Sequence, residues 1–422
     1  MNTQSQAMPV SSSVESATWW SRAKTHLDEP KVRFLDNSDE KLMIALPWIG
    51  VILAVGFWAI ARFGFEWEVT DLHQFLFSVV FMDAVHIMFT LVMLFSLPEL
   101  RTWRTSDRTR EKSGWMKGML PTTRFVVVGA VLGTVFYIIK TNPMTSAIRG
   151  MATIYLMFEI VGPCQHTIAQ MKGISLCFNG SIRRQTQFND AEKAMAMRCE
   201  SLERLFFKTL LIGEIMYWIP QIFELDKFDI PNIDSIQSIG GIMMLLSAQA
   251  ILVNALYFPK QEESRKFAYL VRVLLFPLKM LSIIGGLFVR AAHGTEYLIV
   301  MKRMVQGSKI DKPKMTRIYL VTAALSALYL IPFLLTTPEV LEGTFGIKAL
   351  DALLGGALLG AFILRFTHYY MDAVVFKMGD PATREIVSPL LIAVPPTFAE
   401  ANEGGSRGKR SKLRQSESKA AS

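Results

Sequence analysis

Hydrophobic residues are gathered into long runs along this chain, and polar residues are concentrated between the runs. A helix needs about 20 mostly apolar residues to cross roughly 30 Å of hydrocarbon. Eight stretches come close to or exceed that length: Leu42–Phe63, Phe75–Leu97, Arg124–Lys140, Met151–Met171, Phe206–Phe223, Ile236–Phe258, Ile318–Thr336 and Ala349–Tyr370. The pattern therefore predicts an all-α protein, a polytopic transmembrane helical bundle of about eight spans.

A ninth apolar region, Phe267–Met301, is interrupted by Pro277 and by Gly285, Gly286 and Gly294. It is short for two full crossings, and both of its ends should lie on the same side of the membrane. We therefore expect one re-entrant or broken helical hairpin, with its backbone polar groups buried in protein. Two short tilted spans are the alternative.

The charged residues between the runs predict the orientation of the bundle. Residues 98–124 hold seven Lys or Arg against three acids, and residues 302–317 hold six against one, whereas residues 64–74 hold three acids and no Lys or Arg. Since basic loops stay in the cytoplasm, both termini are expected there, and in a bacterium the membrane would be the inner one. The expected domains are a polar segment 1–41, a membrane bundle 42–378, and a C-terminal segment 379–422 with a basic disordered tail.

Composition agrees with a membrane protein. Of 422 residues, 51% are hydrophobic and 19% are charged, and the mean hydropathy is +0.31. Soluble domains average about 25% charged residues. Three cysteines exclude a disulfide scaffold, and the positive-inside bias already accounts for the net charge of +9, so membrane lipid is the expected partner and nucleic acid is not.

Histidine and carboxylate side chains recur together near the predicted cytoplasmic ends of four separate elements. The histidines are His86, His166, His293 and His368. Each has a carboxylate three, four or seven positions away, which is the same helix face. These carboxylates are Asp83, Glu159, Glu296 and Asp372.

Pairs of this kind build carboxylate-bridged metal sites in helical bundles, and a carboxylate can also orient a ligating imidazole. Imidazole with carboxylate suits iron or zinc, so we expect one or two iron ions, or zinc, at these eight residues. Glu214 and Gln170 are further polar groups within apolar runs. The alternative is structural, because a single histidine in a span often makes only a helix–helix hydrogen bond.

The histidine motifs, taken together, resemble those of a group of uncharacterised bacterial polytopic membrane proteins. The motifs are Asp83–His86, His166–Gln170 with Gly173, His293–Tyr297 and His368–Asp372. That group often has Gln in place of Glu296 and Trp in place of Phe376. The resemblance implies a metal site without implying a reaction. A looser likeness to membrane desaturases, hydroxylases and carotenoid-cleaving oxygenases concerns architecture alone.

Three functions remain open from the sequence. The first is an O2-dependent non-haem iron oxidoreductase that acts on a lipid or isoprenoid, with Tyr297 and Tyr369 positioning the substrate and a separate electron donor. The second is a secondary transporter or channel for a proton, metal ion or small solute, in which Glu214 would act. The third is a membrane haem protein with paired axial histidines.

Overall fold

The computed structural model describes residues 30–64, 81–100, 123, 126–132, 134–135, 146–222, 233–278, 283–308, 310–335, 348–375 and 381–392. These residues are almost entirely helical and include no strand, so the all-α expectation is confirmed for them. In chain order the helices are α1 (Asn37–Gly64), α2 (Phe81–Ser96), α3 (Ser146–Gln185), α4 (Asp190–Ile222), α5 (Ile233–Leu256), α6 (Lys266–Leu270), α7 (Leu275–Leu278), α8 (Ile283–Gly307), α9 (Lys312–Leu335), α10 (Lys348–Val375) and α11 (Pro381–Leu391).

Helices α4 and α5 form a closely packed antiparallel pair. The Asn254 amide donates to the Cys199 carbonyl at 2.9 Å, and the Thr209 and Ser247 hydroxyls lie 2.8 Å apart. At the other end, a Cβ on Gly213 would lie 2.8 Å from the Gly240 carbonyl oxygen. Glycine is required there because the two backbones approach more closely than any side chain allows.

The helices that carry the histidines meet around α2. Helix α2 packs against α8, α9 and α10, and α10 also packs against α3. A small apolar cluster joins three of these helices, with Ala84 and Met88 from α2, Tyr329 from α9 and Ala361 from α10. This packing brings segments that are far apart in the sequence to one place.

The apolar region Phe267–Met301 is described except at residues 279–282, which lie between α7 and α8. It begins in α6, continues through a 3₁₀ turn at Val271–Leu274 into α7, and later enters α8, one continuous helix of 25 residues. Gly285, Gly286 and Gly294 lie inside α8 and do not interrupt it, whereas Pro277 lies in α7. Because α5 is the one described helix that is long and apolar enough to cross a membrane, a re-entrant membrane hairpin at this region is wrong as part of the predicted bundle.

The prediction of about eight membrane spans is also wrong. Within the described residues a single helix, α5, is long and apolar enough to cross a membrane, with a mean hydropathy of 1.9, and the apolar segment Ala84–Ser96 is too short. One such helix is weak evidence for a membrane location, because core helices of other proteins share its length and composition.

The apolar runs led to too many predicted spans. Many of these runs belong to helices that have polar ends and that bury apolar residues against one another. The run Met151–Met171 lies within α3, which continues to Gln185, and Phe206–Phe223 lies mostly within α4, which begins at Asp190. Buried core residues such as Ile168 and Met171 on α3 and Phe207 on α4 account for part of the apolar content of these runs.

Several features used to predict orientation lie outside the described residues. They include about half of the apolar run Arg124–Lys140, the acidic segment 65–74, the basic segment 101–122, the first 29 residues and the tail after residue 392. The cytoplasmic placement of both termini and the three-domain division therefore stay predictions.

Candidate metal centre

Three imidazole rings point their Nε2 atoms at one another inside the helical core. His86 on α2 lies 3.3 Å from His166 on α3 and 2.6 Å from His368 on α10, measured between Nε2 atoms. All three side chains are buried. Residues separated by as many as 282 positions thus place the same kind of donor atom at one point.

Asp372 adds a carboxylate to the three rings. It lies one turn after His368 on α10, and its Oδ2 is 3.5 Å from the His166 Nε2 and 3.6 Å from the His368 Nε2. The ligand atoms of the four residues all lie within 4.8 Å of one another. This buried group could hold a metal ion, and we refer to His86, His166, His368 and Asp372 as the metal centre.

The spacing of the ligand atoms fits a small ion at three contacts. With metal–nitrogen bonds near 2.0–2.1 Å, two ligands of a tetrahedral ion are about 3.3 Å apart. The His86–His166 contact and both Asp372 contacts are close to this value. The 2.6 Å contact between His86 and His368 is instead a hydrogen bond between rings, so these two nitrogens have to separate before both can bind one ion.

Tyr297 on α8 holds the Asp372 carboxylate. Its hydroxyl donates to Asp372 Oδ1 at 2.7 Å and also contacts the Thr90 hydroxyl. Thr90 in turn donates to the His86 carbonyl at 3.1 Å. The Tyr297 hydroxyl therefore occupies Oδ1, and Asp372 Oδ2 is left without a hydrogen-bond donor and faces the imidazoles.

Burial opposes charge on every member of the metal centre. Burial lowers the pKa of His166 to about 3. Burial, together with the neighbouring imidazoles, holds the pKa of His86 well below its usual range, and the pKa of His368 is lowered by burial, His166 and Arg365. Burial also raises the pKa of Asp372 far above its usual range. Neutral imidazoles keep the lone pairs that a metal ion needs.

His293 and Glu296 on α8 lie beside the metal centre. The His293 ring centroid is 4.8 Å from those of both His86 and His166, although His293 is not one of the four converging ligands. Glu296 forms an ion pair with Arg272 and accepts hydrogen bonds from Tyr269 and Gln170. Their service as ligands stays a prediction, and for Glu296 a cationic partner is already present.

The remaining predicted residues fall into different surroundings. Tyr369 packs its ring 5.1 Å from that of His166 and accepts a hydrogen bond from Arg365. Glu214 is buried on α4, next to the close contact at Gly213. The side chains of Asp83 and Glu159 lie outside the described residues.

Sequence reasoning missed Thr90, Arg272 and Tyr269. Thr90 follows His86 by four positions and so lies on the same face of α2. Arg272 is the charged residue in the middle of an apolar run, which is itself an indication of a buried partner. Neither signal identifies the partner residue, which is Tyr297 for Thr90 and Glu296 for Arg272. Each of these contacts joins two different elements of the fold.

No protein-family model matches the chain, and neither does any curated protein or solved structure. The metal centre is therefore interpreted from its own geometry. Three nitrogens that converge on one point suit a single ion and not a haem, because a macrocycle needs a flat space beside each axial imidazole.

Proposed function

We propose that the protein is a non-haem iron oxidoreductase that holds one iron ion at His86, His166, His368 and Asp372. The observation that carries this proposal is the convergence of three Nε2 atoms and one carboxylate oxygen within 4.8 Å. Imidazole and carboxylate without a thiolate are a ligand set that iron accepts. When bound, iron supplies the one-electron and O2 chemistry that side chains lack.

The side chains around the metal centre take distinct roles in this proposal. Tyr297 fixes the orientation of Asp372 by donating to Oδ1, which supports binding of the ion through Oδ2. The ion pair between Arg272 and Glu296 closes the site on the α8 side and neutralises charge without using a metal ligand. Helix packing around the metal centre excludes bulk water.

An apolar substrate, such as a lipid or isoprenoid, is supported by a crevice beside Tyr297. The crevice has a volume of about 20 Å³ and is walled by Ile174, Val300 and Leu391, with Gln170 next to Tyr297. An apolar group is the natural occupant of such walls. Since the crevice holds little more than one water, entry of a substrate chain requires its walls to move apart.

A membrane surface is a natural source of that substrate. Helix α5 exposes large apolar side chains, among them Ile239, Ile242 and Leu246, which are 49%, 57% and 59% exposed. Neighbouring exposed apolar side chains on one helix are typical of contacts with lipid or protein. We propose that α5 brings the protein to the bilayer, where lipid is available.

A structural zinc site is the second candidate. The 3.3 Å separation between His86 and His166 matches a tetrahedral edge, and four protein ligands fill a tetrahedral ion completely. Zinc bound in this way would stabilise the helix packing and leave no open position for a substrate.

Elemental analysis of purified protein tests both candidates. Wild type should retain about one iron ion per chain, and His368→Ala and Asp372→Asn should fall below about a tenth, since each loses a ligand. Asp190→Asn is the matched control, because it removes an exposed carboxylate that pairs only with Lys193 among the described residues. Helicity by circular dichroism should stay unchanged.

The outcomes separate the candidates. Iron(II) that is oxidised on exposure to O2, followed by electron paramagnetic resonance, supports the oxidoreductase. One zinc ion with no response to O2 supports the structural site. Wild type with full helicity and no bound metal would rule out both.

A further inference from the structure

A second cavity, open to solvent and with a volume of about 250 Å³, lies where the C-terminal half of α3 meets α4 and the end of α11. Its inner wall is apolar and its outer wall carries charge. The apolar residues are Leu176, Cys177 and Ile392, and the charged residues are Arg183, Arg184, Arg204 and Glu200. We call it the arginine cavity. None of these residues belongs to the metal centre.

Two of the three guanidinium groups are held in place by contacts to other helices. Arg183 on α3 forms an ion pair with Glu200 on α4 at 3.1 Å. Arg184 on α3 donates to the Ser388 hydroxyl on α11 at 2.7 Å. Three positive charges therefore face one negative charge, and two positive charges are left without a compensating carboxylate in the lining.

The helix dipole explains only part of this arrangement. Basic side chains are favoured in the last turn of a helix, which accounts for Arg183 and Arg184 at the end of α3. It does not account for Arg204, which lies in the interior of α4 and lines the same cavity. Burial and the nearby charges of Arg204 and Lys208 lower the pKa of Lys172, which agrees with a positive potential in this region.

We propose that the arginine cavity binds the phosphate group of a phosphate ester, with the organic part of the ester against Leu176, Cys177 and Ile392. Guanidinium groups present paired N–H donors that match phosphate oxygens. Two uncompensated positive charges match a phosphate that carries close to two negative charges near neutral pH. The volume is more than ten times that of the crevice beside Tyr297, which leaves space for several carbon atoms beside the phosphate.

The phosphate can come from a soluble monoester or from a lipid headgroup, and the recognition chemistry is shared. Leu202 and Leu205, on either side of Arg204 in the sequence, are 44% and 51% exposed, which is compatible with a nearby bilayer. Binding in the arginine cavity does not depend on the metal centre, so it is expected in the metal-free His368→Ala protein as well.

The test measures binding of two probes to the full chain. Glycerol 3-phosphate, followed by isothermal titration calorimetry, represents the soluble ester. Phosphatidylcholine vesicles with and without phosphatidic acid, followed by co-sedimentation, represent the headgroup. Arg204→Gln should weaken binding of the probe that binds by about tenfold, because a charge-assisted hydrogen bond is lost, and Arg204→Lys should have a smaller effect.

Lys193→Gln is the matched control, since it removes one exposed positive charge from the same helix outside the cavity. Unchanged affinity in Lys193→Gln beside a loss in Arg204→Gln supports the proposal, and the probe that binds identifies the source. Equal losses in the two variants would reduce the effect to general surface charge and overturn it. Failure of wild type to bind either probe, with helicity intact, would overturn it too.

Discussion

Two buried polar clusters in this protein differ in how their charged groups are balanced. In the first, the Lys266 ammonium lies 2.7 Å from Glu203 Oε2, and both side chains are at most 1% exposed. Ser175 donates to the other oxygen of Glu203, and the Phe258 ring lies 4.7 Å from the ammonium. This ion-pair cluster contains its own cation and its own anion.

The metal centre contains three imidazole Nε2 atoms and a single carboxylate. Among the described residues no lysine or arginine forms an ion pair with Asp372, and the three Nε2 atoms face each other. Buried polar groups are normally matched by complementary partners. The comparison indicates that the ion-pair cluster is complete as the chain folds, whereas the metal centre is a group that could hold a metal ion from outside.

The largest expected effect is in the ion-pair cluster. Lys266→Met leaves Glu203 buried without its cation and should lower the free energy of unfolding by about 3–5 kcal/mol. Denaturant unfolding followed by circular dichroism measures it. The double variant Lys266→Met, Glu203→Leu should recover much of the loss, because a buried pair replaced by apolar residues costs little. A single variant as stable as wild type would show that the pair is not truly buried.

At the metal centre, the free energy of unfolding should depend on whether a metal ion is bound. At a free metal concentration 100 times the dissociation constant, binding should stabilise the wild-type protein by about 2.7 kcal/mol. His368→Ala should lose this increment, and Lys266→Met should keep it, since the two clusters are separate. Thermal unfolding with and without metal measures both. An increment that survives in His368→Ala would place the binding elsewhere.

The sequence predicted the positions of helices well, but it predicted poorly whether a helix faces lipid or packs on other helices. Helical runs are recognised by apolar content, and α5 illustrates this, because Ile233–Leu256 coincides with most of the predicted span Ile236–Phe258. The apolar content does not distinguish a helix that faces lipid from one whose side chains pack on other helices, as in α3 and α4. The number of spans was therefore overestimated.

The sequence predicted residues that form the candidate site, but it did not predict which residues from different helices contact each other there. Spacing along a helix placed Asp372 on the same face as His368, and the structure brings both to the metal centre. The same argument applied to His293 and Glu296, yet Glu296 pairs with Arg272 from the turn before α7. Helical periodicity defines which residues share a face, whereas the partner from another helix depends on tertiary packing.

The smallest expected effect is at Tyr297, beside the metal centre. Tyr297→Phe removes the hydroxyl that donates to Asp372 Oδ1 and contacts Thr90. Loss of a hydrogen bond that orients a metal ligand typically costs 10–100-fold in metal affinity, and about tenfold, or about 1.4 kcal/mol, is expected here. Competition with a chelator of known affinity measures this change.

Tyr369→Phe is the control for this last effect. Its hydroxyl accepts a hydrogen bond from Arg365 and its ring packs beside His166, so its removal should leave metal affinity nearly unchanged. If both variants lose affinity equally, aromatic packing and not the bond to Asp372 governs the site. If Tyr297→Phe binds metal as wild type does, α10 alone orients the Asp372 carboxylate. The metal centre then needs no hydrogen bond from another helix to hold its ligand geometry, just as the ion-pair cluster needs no external ion to balance its charge.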